Sequence, residues 1–251
     1  MKRDGTGGRG GGIPALRCVV FDKDGTLFDF HATWSAWAAA VIADLSQGDA
    51  ARAMRLGHAI GFDTEAGRFL PGSPVVAGTP DEIAALMAPH VTPAQREGLT
   101  ERLNAAATRA PQVEAVPLAQ LFDRLAASGV AAAVVTNDAE AAALAHLRAA
   151  GVAERFVTVI GFDSGHGAKP GAGPLLAAAA AAGVPPEDCA MVGDSLHDLA
   201  AARAAGMAAV AVLTGPAGAD ELGPAADVVL PDISALPEWL AARNGAAAED
   251  D

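Results

Sequence analysis

Four short segments place carboxylates, a hydroxyl and a lysine where apolar runs end. The first is Val19-Val20-Phe21-Asp22-Lys23-Asp24-Gly25-Thr26-Leu27. Side chains two apart along an extended segment point the same way, so Asp22 and Asp24 can face one pocket. A calcium loop of the EF-hand type also opens on such a pair, but its glycine would fall on Leu27 and its bidentate glutamate on Thr33. A merely solvated acidic turn is disfavoured by the buried-strand character of the residues before it. The second segment, Ala133-Val134-Val135-Thr136-Asn137-Asp138, ends in a hydroxyl and an amide. Thr136 can donate to a phosphate oxygen there, or it can serve as an ordinary helix cap.

The third segment is Gly167-Ala168-Lys169-Pro170. A lone loop lysine is usually a solvated charge, but an anion site in an acidic chain needs a cation, and Lys169 can supply it. The fourth is Met191-Val192-Gly193-Asp194-Ser195-Leu196-His197-Asp198. A helix beginning here would set Asp194 and Asp198 on adjacent turns of one face, the alternative being that Asp194 only caps it. Together with Asp22 they form a hard oxygen cluster suited to Mg2+.

These segments need a scaffold that brings strand ends together. Short apolar runs read as buried strands at Leu16 to Phe21, Val130 to Thr136, Arg155 to Ile160, Asp188 to Gly193, Met207 to Leu213 and Ala226 to Leu230. Helical segments alternate with them: Pro117 to Ala127, Ala139 to Ala150, Gly173 to Ala182, Leu196 to Ala205 and Ile233 to Ala242. Alternation of this kind predicts an α/β fold, a Rossmann-like parallel sheet with helices on both faces, in which ligands bind at the carboxyl ends of the strands. One interval is too long for a single crossover helix. Within it, His31 to Leu45, Ala50 to Ala59, Thr79 to Met87 and Pro93 to Thr108 predict helices, and Pro111 and Pro117 bracket the return to the sheet. The expected organisation is a core of residues 13–28 and 116–243 with a small all-helical cap, residues 29–115, inserted after the first strand. Residues 1–12, glycine-rich with Lys2, Arg3 and Arg9, and residues 244–251 are expected to be disordered tails.

Composition narrows the partners. The chain of 251 residues is 51% hydrophobic and carries a formal net charge of -13. Such a surface repels nucleic acid and anionic membranes, so neither is an expected partner. No apolar run approaches the length of a membrane span, and no apolar segment follows the cationic start as in a signal peptide. The cytoplasm is the default location. The two cysteines, Cys18 and Cys189, fit reduced, buried small hydrophobes better than a disulfide framework.

Taken in order, an Asp-x-Asp-Gly-Thr after the first strand, a strand-end Thr, a Lys-Pro and a Gly-Asp-x-x-x-Asp resemble the four motifs of the haloacid-dehalogenase superfamily. The similarity covers roughly Leu16 to Leu240, and the helical insert resembles the C1 cap of the phosphoglycolate phosphatase-like branch. The resemblance implies a Mg2+-dependent phosphatase acting on a small phosphate ester, such as phosphoglycolate or a sugar phosphate, through an aspartyl-phosphate. Asp22 would be the nucleophile, and Asp24 the acid and then the base. Thr136 and Lys169 would hold the phosphoryl group, with Asn137 nearby. Asp22, Asp194 and the main-chain carbonyl of Asp24 would ligate Mg2+, and Asp198 would orient Lys169 or a metal-bound water.

Two departures stand out. Lys23 occupies a position that is apolar in many relatives, and alternation predicts that its side chain points away from Asp22 and Asp24 into a structural ion pair. The Lys169-Pro170-Gly171-Ala172-Gly173-Pro174 segment is looser than the family's usual Lys-Pro-x-Pro. In the cap, His31, Arg52, Arg55 and Arg68 are candidate substrate contacts, with hinge packing or solvation as the alternatives. His166 and His197 read as loop histidines. The rival functions are a phosphomutase of the β-phosphoglucomutase kind and a catalytically silent binding module. Dehalogenase chemistry is disfavoured because it lacks the second acid that Asp24 supplies.

Overall fold

The computed structural model describes residues 15–70 and 72–249; the tail expected at residues 1–12 lies outside the described residues. After β1 (Cys18–Phe21) the chain enters the insert through α1 (Phe30–Ser46) and α2 (Ala50–Ala59). A short hairpin follows, β2 (Phe62–Asp63) with β3 (Arg68–Phe69), and then α3 (Pro80–Met87), α4 (Pro93–Arg96) and α5 (Leu99–Ala107). The core resumes with α6 (Leu118–Ala127), β4 (Ala131–Val135), α7 (Glu140–Ala149), β5 (Val159–Ile160), α8 (Gly173–Ala182), β6 (Cys189–Gly193) and α9 (Leu196–Ala205). It ends with β7 (Ala208–Val212), α10 (Ala219–Leu222), β8 (Val228–Leu230) and α11 (Leu236–Glu249).

Six strands form one sheet in the order β5-β4-β1-β6-β7-β8, and every pairing in it is parallel. β1 lies between β4 and β6, with Phe21 in register with Val134 and Val192. Its residues alternate between two apolar layers, as a strand buried on both faces must. Val19 and Phe21 join the layer beneath α6 and α11, while Cys18 and Val20 join the one beneath α8 and α9. Cys18 and Cys189 are free, buried register partners within that second layer.

The insert buries its own cluster, which includes Phe30, Trp34, Trp37, Ile42, Leu56, Phe69, Met87 and Leu103. Its two connections to the core run side by side: Asp29 N–H donates to Val113 O and Ala115 N–H to Leu27 O. The hairpin is an addition that the apolar pattern does not announce. Its turn forms because the Asp63 carboxylate accepts from the N–H groups of Glu65 and Ala66. The single helix expected from Pro93 to Thr108 is broken at Gly98, whose φ of 64° is left-handed.

The C-terminal expectation is corrected. α11 continues through residue 249 instead of giving way to a tail at residue 244. Its alanines are strong helix formers, and the Asn244 amide clasps the start of β1, accepting from Leu16 N–H at 2.8 Å and donating to Leu16 O at 3.0 Å.

Candidate active site

The C-terminal ends of β1, β4 and β6 converge beneath the insert on a cavity with an empty volume of about 640 Å3. Asp22, Asp24, Thr136, Asn137, Asp138, Lys169, Ser195 and His197 line it from the core, and Phe30, Trp34, Trp37, Asn104 and Ala107 are among the residues that line it from the insert. This is where an open α/β sheet presents its loops.

Two buried lysines organise the floor. Lys169 Nζ donates to Asp22 Oδ1 at 2.7 Å and to Asp198 Oδ1 at 2.6 Å. Oxygen atoms of Asp22, Asp194 and Asp198 lie within 4.8 Å of one another. Burial pushes the Asp22 carboxyl up to about 7; Lys169 opposes that shift and Asp198 adds to it. Asp194 is raised well above the usual carboxylate range, by burial first and then by the charges of Asp22 and Asp198. Burial pushes Lys169 down, but Asp198 and Asp22 outweigh it and raise its pKa.

Three buried carboxylates against one ammonium leave an excess of negative charge, and a low-dielectric site tolerates that poorly unless a cation is bound. The donor set, all hard carboxylate oxygen, fits Mg2+. The backbone is shaped for close approach as well. Gly25 has φ 76°, and a Cβ there would lie 2.8 Å from Asp194 Oδ1.

Lys23 forms the ion pair expected of it but corrects the direction expected of its side chain. Its side chain is fully buried and turns toward Asp24, with Nζ 2.6 Å from Asp24 Oδ2 and 3.2 Å from Asp138 Oδ2. Strand alternation no longer applies because the chain leaves β1 at Phe21 and Lys23 lies in the turn that follows. Burial lowers its pKa, but Asp24 and Asp138 overcome this and raise it. Burial first, then Lys23, depresses His146 to about 4, so its ring is neutral. His146 Nε2 is 2.8 Å from Ala107 O, which only accepts, and Nε2 therefore carries the hydrogen. Nδ1, 3.2 Å from Lys23 Nζ, accepts from the lysine. The chain Asp24, Lys23, His146, Ala107 thus runs from the loop after β1 to the last residue of α5 in the insert.

The other expected residues divide. Thr136 Oγ1 accepts from Asp138 N–H at 3.1 Å, which leaves its O–H to donate elsewhere. It does not cap α7, whose N-cap is Ala139. Asn137 does not offer a free donor to phosphate. Its Oδ1 accepts from Lys169 N–H at 2.9 Å, and its Nδ2 donates to Lys169 O at 2.9 Å and to Ala77 O at 2.8 Å, so its amide locks the lysine loop to the insert.

Asp194 precedes α9 and does not cap it. The cap is Ser195, in a reciprocal box with Asp198, so the two aspartates meet from a strand end and a helix and not along one helix face. Asp198 Oδ2 accepts from Ser195 N–H and Oγ–H.

His31, Arg55 and Arg68 are exposed and Arg52 is half-buried, and none of the four lines the cavity. Arg52 instead approaches Asp49 at 3.8 Å. Asp138, Ser195, His197, Trp37 and Asn104 line the cavity without having been singled out as site residues. For Asp138, Ser195 and His197 a signal existed, since all three stand inside the quoted motifs.

Residues 16–206 match the haloacid dehalogenase-like hydrolase family. A phosphoglycolate phosphatase of Chromobacterium violaceum is 44% identical over 92 residues, which is 37% of this chain and 40% of that protein. Among solved structures, a HAD family hydrolase from Deinococcus radiodurans R1 with bound phosphate and sodium superposes with a TM-score of 0.63 at 26% identity, covering 92% of this chain and 97% of that one. β-Phosphoglucomutase from Clostridium difficile has a TM-score of 0.66 at 14% identity, with 92% and 97% covered, a likeness of fold alone.

Proposed function

The chain belongs to the haloacid dehalogenase-like hydrolase family, and from that premise we propose that it hydrolyses a small phosphate monoester through a phosphorylated Asp22. The observation that carries this reading is the contact of Asp22 with Lys169 at 2.7 Å, at the mouth of β1 and facing the same cavity as Asp24 and Thr136. A carboxylate nucleophile must meet a phosphate dianion, and the lysine offsets their repulsion.

In the proposed sequence an Asp22 oxygen attacks phosphorus as the ester P–O bond breaks. Asp24 gives its proton to the departing oxygen. Asp24, now a carboxylate, takes a proton from water as the water oxygen attacks phosphorus; the bond to Asp22 breaks, orthophosphate leaves and both carboxyls are restored. Lys169 and the Thr136 hydroxyl hold the phosphoryl oxygens. Asp198 fixes Lys169, and Lys23 fixes Asp24.

Asp22, Asp194 and the Asp24 carbonyl would hold Mg2+, which when bound supplies charge compensation at the transferring group. With both cysteines free and buried, a reducing cytoplasm is the proposed compartment.

A phosphomutase would need a place for a second phosphate. Among the described residues Lys169 is the one lysine or arginine that lines the cavity, which favours hydrolysis.

The test is release of inorganic phosphate from a panel of phosphomonoesters with and without Mg2+, using Asp22→Asn protein as the blank. Loss of all release in Asp22→Asn is expected, a fall on the order of 10^4-fold or more. Full activity in that variant would remove the nucleophile assignment. Single turnover of an ester 32P-labelled in its phosphoryl group, quenched in acid, should show label on the polypeptide before free phosphate appears; phosphate release with no label on the polypeptide at any time would overturn the covalent step.

A further inference from the structure

The roof of the cavity differs from its floor. Phe30, Trp34, Trp37, Ile83 and Leu103 make it largely apolar. Two of the residues that line the cavity carry a buried polar atom with no hydrogen-bond partner, Trp37 Nε1 and Asn104 Oδ1. Trp37 is carried by α1 and Asn104 by α5, helices that pack against each other. Buried donors and acceptors are normally paired, and one left unpaired in a residue beside a cavity is costly until a bound molecule supplies the complement. The indole can only donate. The Asn104 amide, whose oxygen and nitrogen are interchangeable by rotation, can accept or donate.

Charge is absent where a second anionic group would have to sit. Among the described residues lining the cavity, the sole lysine or arginine is Lys169, and it is engaged on the floor by Asp22 and Asp198. Arg52, Arg55 and Arg68 lie elsewhere on the insert. His197 lines the cavity from the core, but it is exposed and shared with an outer groove that also holds Glu82 and Glu221. A carboxylate or second phosphate under the roof would be desolvated without a counter-charge.

We propose that the organic part of the substrate is an uncharged, largely apolar alcohol bearing an oxygen acceptor for Trp37 N–H and a polar group for Asn104, and that Trp37 and Asn104 set specificity. This rests on the phosphomonoesterase reading above and sharpens it. It disfavours phosphoglycolate, whose free carboxylate the roof does not complement, and it disfavours sugar bisphosphates.

The experiment uses the full chain with Mg2+ and compares kcat/KM for 4-acetylphenyl phosphate, phenyl phosphate, phosphoglycolate and fructose 1,6-bisphosphate. The two aryl esters should exceed the two charged ones by about tenfold or more, and the acetyl ester should be the better of the pair. Trp37→Phe keeps a ring and removes the donor. It should lower kcat/KM for the acetyl ester about fivefold more than for phenyl phosphate, whereas a purely structural loss would lower both alike. Asn104→Ala should likewise reduce the preference for the acetyl ester.

Preference for phosphoglycolate or the bisphosphate, or equal losses on both aryl esters in both variants, would overturn the proposal while leaving the phosphatase intact. Binding to Asp22→Asn protein, read by tryptophan fluorescence, separates the two ideas. If no ester is hydrolysed by the unmodified chain yet the acetyl ester binds Asp22→Asn more tightly than phosphoglycolate, the hydrolytic reading falls and the specificity stands.

Discussion

Lys169 and Lys23 are both buried beneath the same cavity, each gripped by two aspartates, yet their surroundings differ in charge. Around Lys169 stand Asp22, Asp198 and, beside them, Asp194, an excess of carboxylate in a site whose burial pushes Asp22 up to about 7, with Asp198 adding to the shift. Around Lys23 stand Asp24, Asp138 and the neutral ring of His146, with the ring of Trp34 5.5 Å from the ammonium. In the proposed reading the first cluster gains a cation and a phosphoryl group. The second already has hydrogen-bond partners on several sides and extends to the insert at Ala107. A buried lysine therefore does not by itself announce an anion site; the unbalanced carboxylates beside it do.

Substitutions at the two lysines should separate these roles. Lys169→Met removes the charge that meets the phosphoryl group, and turnover should fall about 10^2- to 10^3-fold, measured as steady-state phosphate release. Lys23→Met should act first on stability. It leaves the buried Asp138 and the partly buried Asp24 without their cation, a loss of about 3–5 kcal/mol in denaturant unfolding. Mg2+ should still raise the melting temperature of Lys23→Met. If Lys23→Met abolished the effect of Mg2+ while folding normally, the division between the clusters would be wrong.

His146 gives the smallest and most specific signal. Its folded pKa of about 4 lies below its ordinary 6.5, so between those values the unfolded chain binds the extra proton. This contribution to stability is present above pH 6.5 and is lost as pH falls toward 4, by roughly 3 kcal/mol at most. Asp22 and Asp138, raised to about 7 and about 6 chiefly by burial, titrate with the opposite sign in an overlapping window. The difference between wild type and His146→Gln, followed by urea unfolding from pH 4 to 7, isolates the histidine. An identical pH profile in the two proteins would mean that the ring does not stay neutral.

The strand-end chemistry was legible because each motif is local: a short apolar run, then the polar residues it delivers. The order of those runs also foretold the parallel sheet, and β1, β4 and β6 begin or end within a residue or two of expectation at their functional ends. The direction of Lys23 was misread because the alternation rule was carried two residues past the end of β1 at Phe21. His146 carried no signal, being one polar residue in an alanine-rich helix whose meaning depends on Lys23, distant in sequence. Trp37 and Asn104 were hidden for the same reason, since an unpaired buried atom is a property of packing. The break at Gly98 was visible as a glycine within a helical stretch, and the turn it makes follows from its positive φ.

The position of β1 has a consequence for how the chain must fold. The strand that delivers Asp22 is the third in the sheet, and its two neighbours arrive only with residues 131–135 and 189–193. Both ladders close long loops, the kind of contact that slows folding, so β1 waits on sequence that emerges from the ribosome much later. The insert gathers its apolar cluster from within residues 30–107 and can collapse on its own chain before that.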